Sequence, residues 1–218
     1  MLFRSYMKNE LEINGIDGGT VDIVHPVPAA LQQPSAMPQG EQANILFVGQ
    51  VIRGKGVDLM FESLSKLEGD WTATVVGEGS HLDACKKLAA QLGIADRVEF
   101  TGWVPHAELD SYYQNARLLV VPSRWPEPFG MVGIEAMARG RPVVAFSNGG
   151  IPDWLEHETT GFLAPEFDID AMTHSIQRLL DDKALAMTMG QAGVRHVQDK
   201  FSHQAYLDQI QHHMESIN

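Results

Sequence analysis

The chain has 218 residues, 44% of them hydrophobic and 20% charged, and carries a net charge of −12. This is the length and balance of a globular protein with one large domain. The acidic excess excludes a general nucleic-acid-backbone binder and argues against docking to an anionic membrane, so positive potential for a phosphate must be local.

The first residues, "SYMKNELEING" (5–15), predict a short helix capped by Gly15. "TVDIVHPV" (20–27) predicts a strand. The Pro-, Gln- and Ala-rich stretch to residue 44 predicts a linker. The chain then alternates. Strands are predicted at 45–50, 71–77, 97–104, 117–123 and 141–147. Helices are predicted at 56–67, 80–93, 106–116 and 130–140, with a short one within 151–161. Helices at 170–182, 184–199 and 203–217 follow. Strands apolar on both faces and alternating with helices predict an α/β fold: a Rossmann-like, doubly wound parallel sheet with helices on both faces. The expected organisation is a tail at 1–28, a linker at 29–44, the sheet domain at 45–182 and C-terminal helices at 183–218.

In such a sheet ligands bind outside the carboxyl ends of the strands, so the loops after the strands carry the chemistry. After the first strand, "GQVIRGKG" offers Gly49, Gln50 and two cations, Arg53 and Lys55. These suit either a phosphate or solvent. After the second, "GEG" (77–79) lacks the third glycine of the dinucleotide fingerprint, because Leu82 stands there. It reads as a tight strand-to-helix turn, and NAD binding is excluded. Cys85 lies in the apolar pattern of the next helix and reads as a packed thiol. It is the only cysteine, which rules out an internal disulfide and suits a reducing compartment. After the third strand, Trp103 could stack on a base, although the core is the default place for an aromatic.

The fourth loop is the most informative. In "PSRWPEPFGMVGIEA", Pro126 and Pro128 hold Glu127 out of helix. Gly130 permits close backbone approach to a ligand. A helix begins near Met131, so its free N–H groups favour an anion beside Phe129 and Gly130. Glu135 follows among apolar residues. It could pair with Arg139 four residues on, but that pairing explains neither Glu127 nor the Pro-Phe-Gly turn. The fifth loop, "SNGGIPDW", brings Gly149 and Gly150 to the same end. "DID" (168–170) has the spelling of a metal-binding Asp-x-Asp, but it precedes a helix and reads as a cap. No His/Cys cluster has zinc spacing.

With Glu127 and Glu135 separated by seven residues, "EPFGMVGIEAMARGRPVVAF" resembles the E-x7-E signature of the family 4 glycosyltransferases, the retaining GT-B class. "ILFVGQVIRGKGVDL", "TVVGEGSHL", "LLVVPS", "GGIPDW" and "TGFLAP" agree in order, from about Ile45 to Leu180. The resemblance implies the donor-binding half of an enzyme that moves a hexosyl group from a UDP- or GDP-sugar to an acceptor hydroxyl. Glu127 would be the catalytic-site carboxylate on the donor sugar, and Glu135 would accept from the ribose hydroxyls. Backbone at Phe129, Gly130, Met131 and Val132 would meet the diphosphate or sugar. Lys55 would neutralise the diphosphate, with Gly49, Gln50 and Arg53 beside it, and Trp103 and Val104 would border the base. No metal or other cofactor is implied; the nucleotide-sugar is a substrate. Gln50 stands where the family has arginine, and Asp153 where it has glutamate. The acceptor half, with its histidine, is absent from this chain; His25, His212 and His213 read as linker and surface residues. The isolated chain is therefore expected to be inactive. The absence of a leader pattern in "MLFRSYMKNELEI" and of an apolar span implies a cytoplasmic protein without membrane insertion. Two alternatives stay open: a non-catalytic nucleotide-binding or interaction module, and another GT-B enzyme such as a sugar-nucleotide epimerase.

Overall fold

The computed structural model of the protein describes residues 5–17, 27 and 43–216. The expected strand at 20–27 and most of the expected linker lie outside the described residues, as do His25 and the side chains of His212 and His213. Helix α1 (Ser5–Ile13) ends as predicted, with Gly15 at φ 86°.

Six strands follow: β1 (Ala43–Val48), β2 (Trp71–Val76), β3 (Val98–Gly102), β4 (Leu118–Val121), β5 (Val143–Phe146) and β6 (Gly161–Ala164). They form one sheet in the order β3-β2-β1-β4-β5-β6, and every pairing is parallel. β1 begins at Ala43, two residues inside the stretch expected to be linker. β6 is an addition to the five strands expected from residue 45 onward. Its four residues start with glycine and include no β-branched side chain, so nothing local marks it as strand. Register against β5 makes it one: Val144 lies opposite Phe162 and Phe146 opposite Ala164.

The helices are α2 (Val57–Leu64), α3 (Leu82–Gln91), α4 (Leu109–Asn115), α5 (Met131–Ala138), α6 (Ile169–Asp181), α7 (Lys183–Lys200) and α8 (His203–Ser216). The two faces of the sheet bury separate cores. Ile45, Phe47, Ala73, Val75, Leu118 and Val120 pack under α2, α3 and α6. Leu46, Val76, Leu119 and Val121, the alternate residues of the same strands, pack under α4 and α5 with the end of α7. This period-two alternation with both faces apolar is what a doubly covered sheet demands. The expected short helix after β5 is a single 3-10 turn, Ile151–Asp153. Cys85 is fully buried, and burial, with Asp58 nearby, pushes its thiol up to about 11.

Trp154 fixes the start of α5. Its ring is wholly buried and its Nε1 donates to the carbonyl of Phe129. Gly133, one turn into α5, leaves the space for that ring: a Cβ there would lie 2.0 Å from Trp154 Cη2. Replacing a helical glycine by alanine ordinarily adds about 1 kcal/mol of stability. Here overlap with a rigid indole reverses the sign. Gly133→Ala is expected to lower the urea midpoint by the equivalent of roughly 1–3 kcal/mol.

Candidate functional site

The order of the strands places a topological switch point between β1 and β4, whose following connections lead to opposite faces. A crevice of about 410 Å³ opens there, lined by the ends of β1 and β4 and by Gly49, Gln50, Lys55, Ser123 and the run Glu127–Val132. A second hollow of about 320 Å³ shares Val48, Gly49 and Gln50 with it and continues to Gly77, Glu78, Trp103, Val104 and Leu109. Most of the residues predicted from separate loops thus line these two adjoining hollows.

Glu127 is its chemical centre. The carboxylate is buried, with only 6% of its side-chain surface exposed, and a buried charge needs partners. Lys55 Nζ donates to Oε1 at 2.5 Å, and Ser123 Oγ donates to the same oxygen at 2.6 Å. Oε2 takes neither bond. The loop backbone is equally fixed. Gly150 N–H donates to the Glu127 carbonyl at 2.7 Å. Gly149, at φ 59°, lies so close that a Cβ would come within 2.5 Å of Glu127 N and O. Asn148 Nδ2 donates to the carbonyls of Ser123 and Arg124 at 3.3 and 3.0 Å. Beyond the Pro-Phe turn, Gly130 at φ 83° turns the chain into α5. The first turn of that helix borders the crevice through Gly130, Met131 and Val132, and a helix start carries N–H groups without intrahelical partners.

Glu135 faces a different neighbour. Tyr113, wholly buried on α4, donates its hydroxyl to Glu135 Oε2 at 3.0 Å. Arg139, the partner considered from the sequence, donates to the Glu135 carbonyl at 2.9 Å and to Asp110 at 2.6 Å, and stacks over the Tyr113 ring. Burial, and then the Glu135 carboxylate, hold the Tyr113 phenol well above its ordinary range. It stays a donor to Glu135 across the physiological range.

One expectation needs correction. Arg53 is exposed and does not line the crevice. Residues Arg53–Lys55 form one 3-10 turn, and a turn of that pitch points the two cations in different directions. Of the two places open to Trp103 in the sequence, the core is not the one it takes. It is 69% exposed at the rim of the second hollow. Ser123, Asn148 and Tyr113 were not singled out from the sequence. They act through pairings 4, 25 and 22 residues distant that no local pattern announces. "DID" behaves as a helix start: Asp168 accepts from Ala171 N at 2.9 Å, and Asp170 pairs with Lys66 at 2.6 Å. Among the described residues no group of three or more His, Cys, Asp or Glu could hold a metal ion, and no helix is long and apolar enough to cross a membrane.

Comparison with known proteins gives this cleft a family. Residues 32–196 match the family described as glycosyl transferases group 1. The chain belongs to that family. Proteins similar to it include a GDP-mannose-dependent alpha-(1-6)-phosphatidylinositol monomannoside mannosyltransferase of Mycobacterium tuberculosis, 32% identical over 186 residues, 81% of this chain and 48% of the relative. A D-inositol 3-phosphate glycosyltransferase of Streptomyces avermitilis is 34% identical over 203 residues, 83% of this chain and 43% of the relative. The chain therefore spans less than half of the length of these curated relatives. Among solved structures, sucrose-phosphate synthase from Thermosynechococcus elongatus superposes with a TM-score of 0.88 at 30% identity, over 99% of this chain and 57% of that one. HepE of Anabaena, solved with UDP and glucose, superposes with a TM-score of 0.88 at 19% identity, over 99% of this chain and 62% of that one, which is a likeness of fold. The sheet is the Rossmann-like half of the GT-B fold of this family.

The Tyr113–Glu135 contact has a pH signature. A phenol whose folded pKa is raised leaves stability unchanged below its unfolded value of about 10 and loses it as pH rises through the folded value. In an absorbance titration at alkaline pH, one of the four tyrosines should ionise only as the chain unfolds. Tyr113→Phe should remove that late step.

Proposed function

We propose that this chain is the donor-binding half of a retaining hexosyltransferase that uses a UDP- or GDP-sugar. The observation that carries the reading is the buried Glu127 at the switch point, held by Lys55 and Ser123 immediately before the N-terminus of α5. A sugar ring is covered with hydroxyl donors. A fixed carboxylate with one oxygen free of these contacts is suited to accept from two of them.

The chemistry follows from the same geometry. When the glycosidic bond to a nucleoside diphosphate breaks, the bonding electrons leave with the phosphate oxygen, and negative charge grows there. In this reading Lys55 and the N–H groups of the first turn of α5, which border the same crevice, meet that charge and stabilise it with little reorganisation. No metal is needed in this scheme. Glu135, kept in place by Tyr113, accepts from the ribose hydroxyls, and the hollow beside Trp103 and Val104 takes the base. Relatives whose names state a GDP-mannose donor, and neighbours solved with UDP, support a nucleotide-sugar of one of these two kinds. In this reading the chain, which spans less than half of the length of those curated relatives, supplies donor binding and does not transfer sugar by itself.

Titration calorimetry with UDP, GDP and their hexose conjugates tests the proposal. One nucleotide series should give heat at millimolar ligand. Glu135→Ala should weaken every member of that series by about tenfold or more, the worth of a hydrogen bond to a charged group. Glu127→Ala should weaken only the sugar-bearing ligands. Absence of heat with all of them would leave an interaction module as the better account.

A further inference from the structure

Lys55 and Glu127 belong to different loops, 72 residues apart, and their contact requires those loops to be held together. Backbone does part of this. The N–H groups of Arg124 and Trp125 both donate to the carbonyl of Gly54, at 2.9 and 3.0 Å. Gly56, at φ 71°, lets Pro122 approach so closely that a Cβ would sit 1.9 Å from its carbonyl oxygen. One side-chain pair spans the same junction. Arg124 Nη2 donates to Asp58 Oδ2 at 2.7 Å, with the two side chains only 26% and 15% exposed. Asp58 lies in the first turn of α2, directly after the Lys55 loop, and Arg124 lies three residues before Glu127. Neither residue lines the crevice.

We infer that Asp58 and Arg124 are positioning residues, an ion-pair clasp that sets the Lys55–Glu127 contact. Two features favour this over incidental surface pairing. Arg124 is anchored at three points on different elements: its N–H to Gly54, its carbonyl by Asn148, and its guanidinium to Asp58. The pair is also partly desolvated. Asp58 Oδ1 and Arg124 Nε are buried without a hydrogen-bond partner among the described residues, and His81 Nε2 stands 3.7 Å from Asp58 Oδ2. Removing either charge leaves the other stranded, so the junction must shift.

The geometric claim does not depend on the proposed activity; its consequence for donor binding rests on that reading. The test compares wild type with Asp58→Ala and Arg124→Gln, each confirmed folded by circular dichroism. The rate of acetylation of Lys55 is followed by peptide mass spectrometry, with the exposed Lys87 as internal reference. Loss of the clasp should raise Lys55 labelling relative to Lys87 by about threefold or more, in line with the loss of a partly exposed ion pair. It should also weaken nucleotide-sugar binding more than nucleoside diphosphate binding. Unchanged relative labelling in either folded variant would overturn the inference. If wild type binds no nucleotide, the labelling ratio still decides the clasp, and only the proposed function fails.

Discussion

A parallel sheet covered on both faces has to reverse its winding once, and where it reverses two neighbouring strands send their following connections to opposite sides. The crevice left between them cannot be filled by either connection. In this protein the reversal lies between β1 and β4. Everything chemical in the structure is arranged around that unfilled gap: the cation arrives on the loop after β1, and the carboxylate and helix start arrive on the loop after β4.

The gap is polar in a measured way. Glu127 is buried and would be costly alone, and Lys55 and Ser123 compensate it through a single oxygen. Such a pair is close to neutral. An added diphosphate would therefore depend on the first turn of α5 and on Lys55 shared between two anions, because Gln50 adds no charge and Arg53 turns outward. The chain's overall acidity makes the same point from a distance. Glu135 is separated from this arrangement by its tie to Tyr113, so the two glutamates of the signature have different electrostatic surroundings despite their closeness in sequence.

The sheet's first five strands and most of the cleft were legible in the sequence because they rest on local rules. β-branched runs mark strands, glycines mark tight turns, and prolines around Glu127 exclude helix. The parts that were not legible are set by distant partners. β6 is a strand only because β5 offers it a ladder. Trp103 could have been core by residue type or have bordered the site, and only its place after the edge strand β3, with its ring exposed, decides between them. Arg53 and Lys55 look equivalent in the sequence, and only the 3-10 turn between them assigns one to the crevice and one to solvent. Ser123 gave no signal at all, since a serine after a strand is commonplace until a buried carboxylate is placed beside it.

The proposed function puts the ligand in the switch-point crevice, with phosphate at the start of α5. Amide-resolved NMR of the chain during titration with UDP and with GDP addresses this directly. The account predicts that one of the two produces its largest shifts at the amides of Gly130, Met131 and Val132, with smaller ones at Gly49, Gln50 and Trp103. Saturable shifts centred elsewhere on the sheet, with the amides of 130–132 unmoved, would contradict it.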